Sequence, residues 1–463
     1  MSEPTTCTLP PPSDNCSDLE RTDLLFTSAG AHDGTTKTPP PSSFPPTVGR
    51  YRVSCELARG GMGVILAAHD AELGRDVAIK VLLESHLGKP GYRERFVEEA
   101  RITAALQHPG VISVYERGEL ADTRPFFSMR LVDGQTLGAQ LLARKNPTDE
   151  LPRFLQVFDR VCQALAYAHS HSVIHCDLKP ANVMVAPFGV VQVMDWGLAW
   201  DLKAGHAAPP TAEKQPAGGQ AIATGGTPSY LSPEQATAGR LDERTDVFGL
   251  GGILCTILTG QPLYTGKTTR RVFAQAARAD LADTFARLNA SPAARELVAL
   301  AKQCLAPHPE DRPRSARDVA TALTAYIESD LRRAERDLVR YFDLTPDLLC
   351  IAGLDGHFRR VNANFTRVLG YTSEELVSRP FVEFVHPDDR TNTSAEAEKL
   401  SRGLPVVHFR NRYCDVRGAY RWFEWTAQSI PEENVIFAVA RDITDRVALE
   451  VRLSATTDPG AAS

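Results

Sequence analysis

The stretch that decides the fold of this chain is HCDLKPAN, at residues 175–182. It brings together a carboxylate, an amine and an amide at Asp177, Lys179 and Asn182. A second carboxylate, Asp195, follows in the segment VQVMDWG. Moving a phosphoryl group requires charge neutralisation and positioning more than covalent chemistry. These side chains therefore indicate phosphoryl transfer.

Upstream of this stretch, a glycine-rich turn lies between two strand-like segments. It reads LARGGMGV, at residues 57–64, and glycines let backbone N–H groups approach phosphate oxygens. Lys80 follows the strand-like run VAI, and Glu99 lies on the next helical pattern. A lysine that touches phosphates needs a carboxylate to hold it, which Glu99 can provide. Taken alone, the turn also fits an ordinary hairpin, and the two charges also fit solvated surface groups.

In this order and spacing, the motifs resemble the Hanks-type protein kinase superfamily, especially its bacterial serine/threonine branch, over residues 51 to about 325. The resemblance implies an α+β, bilobal kinase fold with a β-rich N-lobe and a helical C-lobe. It implies ATP and Mg²⁺ as cofactors and proteins as substrates. The alternative is a pseudokinase scaffold that binds nucleotide without transferring phosphate.

The resemblance also assigns roles to single residues. It implies that Asp177 orients the acceptor hydroxyl, that Lys179 neutralises the transferred phosphate, and that Thr227 bridges these two side chains. The resemblance also implies that Asn182 and Asp195 bind Mg²⁺. The residues expected to bind ATP are Leu57, Gly60, Gly61, Gly63, Val64, Ala78, Lys80, Glu99, Met129 and Leu131.

Three positions depart from the family's pattern. Ala58 replaces the first loop glycine, which predicts a raised KM for ATP. Trp196 replaces a phenylalanine and is expected to fill the same apolar slot. Cys176 stands where many regulated kinases have the arginine that receives an activation-loop phosphate. Because a neutral thiol cannot make that contact, phosphorylation of Thr224 is expected to be dispensable.

Scaffold positions of the same family are also present. Asp246 is expected to anchor the catalytic loop, and Arg312 is expected to pair with Glu234. These residues are predicted to stabilise the fold and to take no part in the chemistry.

Composition limits the remaining possibilities. The chain has 463 residues, 43% of them hydrophobic and 23% charged, with a net charge of -6. That length predicts at least two cores, and the mild acidity argues against a nucleic-acid partner. The absence of a long apolar run argues against a membrane span. Nine cysteines scattered singly indicate reduced thiols and a cytoplasmic location.

The sequence predicts five segments. Residues 1–48, rich in proline, serine and threonine, are expected to be a disordered tail, and the kinase domain is placed at residues 49–325. An Ala/Pro/Gly-rich stretch at residues 202–226 is expected to be a long loop. Apolar residues at steps of four and three predict a connecting helix at residues 326–342, able to pair as a coiled coil. An α+β domain at residues 343–447 and a short tail at residues 448–463 complete the chain.

The predicted α+β domain resembles the PAS family in its sensor-box form. The resemblance rests on GYTSEEL at residues 370–376, HPDDR at residues 386–390 and RDITDR at residues 441–446, which fall in the family's order. It implies an antiparallel five-stranded sheet, helices on one face, and a sensory or dimerisation role. The PAS ligand is unknown. Flavin-thiol chemistry is not supported, because no cysteine lies near residues 378–381, and haem is not supported, because His386 precedes a proline in a turn. A homodimer through the helix and this domain is the expected assembly.

Overall fold

The structure, a computed structural model, describes residues 45–203 and 228–456. The chain divides into two compact units, with the boundary after Ile327. Most of the predicted tail and loop, together with Thr224 and Thr227, lies outside the described residues. The structure differs from the prediction at the end of the tail. Thr47–Val48 form a strand and Val48 is fully buried, so the first unit begins before residue 49.

The first unit begins with a six-stranded antiparallel sheet and one long helix. Its elements are β1 (Thr47–Val48), β2 (Tyr51–Arg59), β3 (Gly63–Asp70), β4 (Arg75–Leu82), α1 (Tyr92–Ala105), β5 (Val114–Glu119) and β6 (Pro125–Arg130). The strand order is β1-β2-β3-β4-β6-β5. Alternation along β4 buries Ile79 and Val81 on one face and Ala78 on the other, where Phe96 of α1 packs.

The rest of the first unit is mainly helical. Its elements are β7 (Gln135–Thr136), α2 (Leu137–Ala143), α3 (Leu151–Ser170), β8 (Val173–Ile174), β9 (Val183–Ala186), β10 (Val190–Val193), β11 (Trp200–Asp201), α4 (Pro233–Ala236), α5 (Glu243–Thr259), α6 (Thr269–Ala277), α7 (Ala282–Ala290), α8 (Arg295–Cys304) and the start of α9 (Ala316–Leu344). Strands β10, β9 and β7 form one small sheet, and β11 pairs with β8.

Helix α5 is the centre of this helical core. It is buried from Thr245 to Leu258. Gly249 lets α5 approach the HCDLKPAN stretch closely, because a Cβ at this position would lie 2.8 Å from Cβ of Leu178. The close contact places the loop at residues 175–182 directly against the most buried helix of the lobe.

Helix α9 contains the predicted connecting helix and is longer than predicted. It is continuous over 29 residues. Val319, Ala320 and Leu323 are buried near its start. Leu331 and Leu338, further along, are 60% and 69% exposed. The helix therefore begins as part of the core of the first unit and continues with an exposed apolar stripe.

The second unit contains a five-stranded antiparallel sheet, as predicted. Its elements after α9 are β12 (Leu348–Gly353), β13 (Phe358–Val361), α10 (Ala363–Leu369), α11 (Ser373–Val377), α12 (Arg390–Ser401), β14 (Val406–Cys414), β15 (Tyr420–Ile430), β16 (Val435–Asp442) and α13 (Thr444–Thr456). The strand order is β13-β12-β16-β15-β14.

The C-terminal segment differs from the predicted short tail. Residues 448–456 continue helix α13. Asp442 accepts the backbone N–H of Thr444 at 2.9 Å, which satisfies a donor at the start of the helix. Within the described parts of the chain, no helix combines the length and the apolar character needed to cross a lipid bilayer.

Candidate active site

The glycine-rich turn is a tight connection between β2 and β3. The N–H of Gly60 donates to the carbonyl of Gly63 at 2.8 Å, and the N–H of Leu83 donates to the carbonyl of Met62 at 3.1 Å. Gly63 has no room for a side chain, because a Cβ there would lie 2.9 Å from the carbonyl oxygen of Val81. The space beside Gly61 is open, since a Cβ there would meet no atom within 4 Å. The tip of the turn is therefore accessible to phosphates.

Lys80, Glu99 and Asp195 form one ionic cluster. Lys80 Nζ lies 2.5 Å from Glu99 Oε1 and 3.1 Å from Asp195 Oδ1. Burial disfavours the ammonium, but the carboxylates of Asp195 and Glu99 outweigh it and raise the pKa of Lys80. Lys80 in turn lowers the pKa of Asp195 to about 2. Lys80 and Asp195 are therefore both charged at neutral pH.

The expected adenine contacts lie on one face of the N-lobe sheet, with one exception. Ala78, Met129 and Leu131 pack in the same apolar cluster. Val64 is fully buried in a different cluster, on the other face. Ile65 packs in the cluster of Ala78, because successive side chains of a strand point to opposite faces. Ile65, not Val64, is therefore the β3 side chain on the face of Ala78, which the alternation in β3 could have indicated from sequence.

The segment after β6 offers free backbone groups. Leu131 and Val132 make no backbone hydrogen bond to any residue that the structure describes. Free N–H and C=O groups at this point are of the kind that can pair with an adenine edge, so Val132 is a candidate contact beside Leu131. Leu57 is half-buried at an irregularity in the pairing of β2 with β3.

The HCDLKPAN stretch forms a loop that ends in a short 3-10 helix, Pro180–Asn182. Lys179 Nζ lies 3.2 Å from Asp177 Oδ2. Asn182 Nδ2 donates to the backbone oxygen of Asp177 at 2.7 Å and to its Oδ2 at 3.0 Å. Burial raises the pKa of Asp177, although Lys179 opposes this. The three polar groups of the motif thus meet at one carboxylate.

Comparison with known proteins agrees with this geometry. A sequence model of the protein kinase domain matches residues 51–323. The chain belongs to the protein kinase family. A model of the PAS fold matches residues 358–439, within the second unit.

Several curated relatives are bacterial. The serine/threonine-protein kinase PknB of Mycobacterium tuberculosis is 37% identical over 277 residues, which cover 59% of this kinase and 42% of the relative. PknB of Mycolicibacterium smegmatis is 36% identical, covering 62% and 45% of the two chains. A probable serine/threonine-protein kinase of Streptomyces coelicolor is 34% identical, covering 60% and 40%. The kinase therefore spans less than half the length of these relatives.

Asn182 and Asp195 of the kinase fit a magnesium ion. The Nδ2 of Asn182 is turned toward Asp177, and its Oδ1 takes no hydrogen bond from the described residues. The Asp195 side chain is 50% exposed and ionised. Magnesium favours one or two carboxylates together with substrate phosphates and water. Where the structure describes the chain, no three His, Cys, Asp or Glu residues gather into a closed metal site.

Asp246 anchors the catalytic loop of the kinase, in keeping with the sequence prediction. Its Oδ2 accepts the backbone N–H of His175 at 2.8 Å, and its Oδ1 accepts that of Cys176 at 2.9 Å. His169 Nε2 lies 2.9 Å from Asp246 Oδ2. Burial opposes ionisation, but these hydrogen bonds outweigh it and lower the pKa of Asp246. The anchor therefore stays charged and holds the backbone next to Asp177.

Two further scaffold predictions for the kinase are confirmed. Arg312 binds both carboxylate oxygens of Glu234, at 2.7 and 2.9 Å. Trp196 is 1% exposed and donates its indole N–H to the carbonyl of Val193 at 3.3 Å. Thr227, the expected bridge to the catalytic groups, lies outside the described residues.

The second unit of the kinase encloses a cavity between its sheet and helix α12. The space between its walls is about 510 Å³, open mouth included. Trp425 donates its indole N–H to Asn411 at 2.8 Å, and Asn411 Nδ2 donates to Thr393 at 3.0 Å. The wall is therefore mostly apolar, with its main polar groups paired. Outside the cavity lining, His386 accepts the N–H of Asp388 at 3.2 Å and caps a turn, as predicted.

Proposed function

We propose that this chain is an active serine/threonine protein kinase that transfers the γ-phosphate of ATP to protein hydroxyls, its own included. One observation carries the proposal. The ammonium of Lys80 contacts Glu99 at 2.5 Å and Asp195 at 3.1 Å. A kinase needs this lysine–glutamate pair and this metal-binding aspartate in place together. A pure scaffold has no need of the full set.

The chemistry follows from the position of Asp177. As the acceptor oxygen bonds to the γ-phosphorus, the bond to the bridging oxygen of ADP breaks and the hydroxyl proton passes to the Asp177 carboxylate. Lys179, 3.2 Å from that carboxylate, offsets the negative charge of the transferring group. Bound Mg²⁺ would supply further positive charge at the phosphates. Beyond this charge neutralisation, the protein contributes by positioning the acceptor hydroxyl and the phosphates.

The direct test is phosphate transfer by the whole chain. We expect label from γ-labelled ATP to appear on serine or threonine of the chain and of a generic basic protein when Mg²⁺ is present. Chelation of the metal with EDTA should abolish labelling. If the chain binds ATP with Mg²⁺ but labels neither target, the pseudokinase scaffold replaces the proposal.

Loss of the Thr224 hydroxyl should leave the transfer rate within about twofold of wild type. The reason is Cys176, which lacks the positive charge that would bind a phosphate on the activation loop. The measurement is kcat for Thr224→Ala and for wild type treated with a phosphatase. A loss of most of the turnover in Thr224→Ala would contradict this interpretation of Cys176.

We also propose that the second unit senses a signal or mediates pairing, and that α9 contributes to a homodimer. The apolar stripe of α9 is exposed over several turns, at Ile327, Leu331, Leu338 and Tyr341. Steps of four, seven and three residues place these side chains on one side of the helix. A second copy of the same helix can cover that stripe.

Placing aspartate at both Leu331 and Leu338 should weaken the dimer by at least about 100-fold, because each buried leucine contributes about 1.5 to 3 kcal/mol. Sedimentation velocity of the full chain over a concentration series measures the change. Ser329→Asp, on the opposite side of α9, should leave association unchanged. A wild-type chain that stays monomeric at high concentration would remove the dimer proposal.

We place this activity in the cytoplasm, where ATP is abundant and thiols stay reduced. The cysteines of the described residues are all free, which fits a reducing compartment.

A further inference from the structure

Cys176, the residue that precedes Asp177, is held at both its N–H and its carbonyl oxygen. Cys176 has a φ of 63°, in the left-handed region that a residue with a side chain rarely adopts. Its N–H is bound by Asp246 at 2.9 Å. Its carbonyl oxygen accepts a hydrogen bond of 2.6 Å from Nε2 of Gln235. A strained residue keeps its conformation only where neighbouring contacts determine it.

Gln235 makes two separate kinds of contact. With its Nε2 it reaches the catalytic loop at Cys176. With its Oε1 it accepts the backbone N–H of Ser232 at 3.2 Å and its hydroxyl at 3.1 Å. The second set belongs to a capping box that begins helix α4. One side chain therefore connects the start of α4 to the residue before the catalytic carboxylate.

We propose that Gln235 is a positioning residue for Asp177, an inference that rests on the proposed kinase function. The carbonyl of Cys176 and the N–H of Asp177 belong to one planar peptide unit. Fixing that carbonyl fixes the orientation of the unit, and with it the direction in which the Asp177 side chain leaves the backbone. The link is neutral and needs no phosphate. It fixes the catalytic loop at Cys176 through the backbone. The neutral thiol of Cys176 cannot fix the loop as an arginine would, by binding a phosphate on the activation loop.

Gln235→Glu separates the two roles of this side chain. Glutamate is a normal partner in a capping box, so its carboxylate can still accept the N–H of Ser232. It has no N–H to offer the carbonyl of Cys176, and two acceptors then face each other. We expect kcat to fall about 10-fold or more, since small displacements of a catalytic group are costly. The KM for ATP should stay within about twofold, because the Lys80 cluster is unchanged.

Two matched variants complete the experiment on the full chain. Gln303→Glu adds the same charge at an exposed position of α8 and should behave as wild type. Ser232→Ala removes the cap hydroxyl but leaves Nε2 of Gln235 facing Cys176. It should lower the melting temperature and leave kcat of the folded protein unchanged.

The outcomes distinguish this inference from the proposed function. A fall in kcat for Gln235→Glu, at the wild-type melting temperature and with Gln303→Glu normal, supports it. A Gln235→Glu enzyme with wild-type kcat overturns it and leaves the kinase proposal standing. Equal losses of kcat in Gln235→Glu and Ser232→Ala, each following its loss of stability, overturn it as well. A wild-type chain without transfer removes both proposals.

Discussion

Asp177→Asn should lower the rate of phosphate transfer by about 10²- to 10⁴-fold, the range that a positioned general base contributes. Asparagine has nearly the same shape and can still accept the hydrogen bond from Asn182 Nδ2, now 3.0 Å from Asp177 Oδ2. It cannot take up the proton of the acceptor hydroxyl. The effect should therefore appear in kcat.

Nucleotide binding should survive this change. The ATP contacts that we propose lie with Lys80 and the backbone near Leu131, away from the substituted atom. Titration with ATP and Mg²⁺ should give a Kd within about threefold of wild type. Asp283→Asn, at an exposed position of α7, provides a control of the same chemical change. An Asp177→Asn variant with wild-type turnover would mean that another group accepts the proton.

Arg312→Leu should lower the free energy of unfolding of the first unit by about 3 to 5 kcal/mol. The Arg312 side chain is 0% exposed and forms a bidentate ion pair with Glu234. It also donates to the backbone carbonyls of Arg244, Ala306 and Pro307. Its removal leaves a buried carboxylate and three carbonyls without their donor. Buried acceptors without a donor lower the free energy of unfolding, and they account for most of the loss.

Urea unfolding of the full chain measures the loss. The transition of the second unit should not move, because the described partners of Arg312 all lie in the first unit, so it serves as an internal reference. Arg314→Leu, two residues away and exposed, should change the free energy of unfolding by less than about 0.5 kcal/mol. Replacing Glu234 by leucine as well should recover part of the loss. An Arg312→Leu protein with wild-type stability would show that the pair contributes little.

Much of the candidate site could be predicted because its residues lie in short runs. Asp177, Lys179 and Asn182 are separated by so few residues that any folded loop brings them together. Lys80 and Glu99 are 19 residues apart, and the structure joins them at 2.5 Å because a strand and a helix pack against each other. The family's motif order predicted this meeting, and periodicity alone did not.

Two sequence predictions differ from the structure, because each depends on local backbone geometry that a motif does not specify. Val64 and Ile65 differ only in which face of β3 they occupy, and the sheet decides that by alternation. The segment after residue 447 was assigned to a tail, yet it continues helix α13 from the cap at Asp442. Gln235 carries no sequence signal of its own beyond its place in a capping box.

By itself, the sequence determined the family, the order of the two units and the identity of the charged groups, because these depend on residue types at short spacing. The tertiary structure alone decided which backbone atoms of the catalytic loop are held, and by which side-chain atoms. It placed Asp246 at the N–H and Gln235 at the carbonyl of Cys176, from positions 70 and 59 residues further along the chain. Contacts at such separations depend on how helices pack against a loop, and a pattern of residues along the chain does not specify that packing.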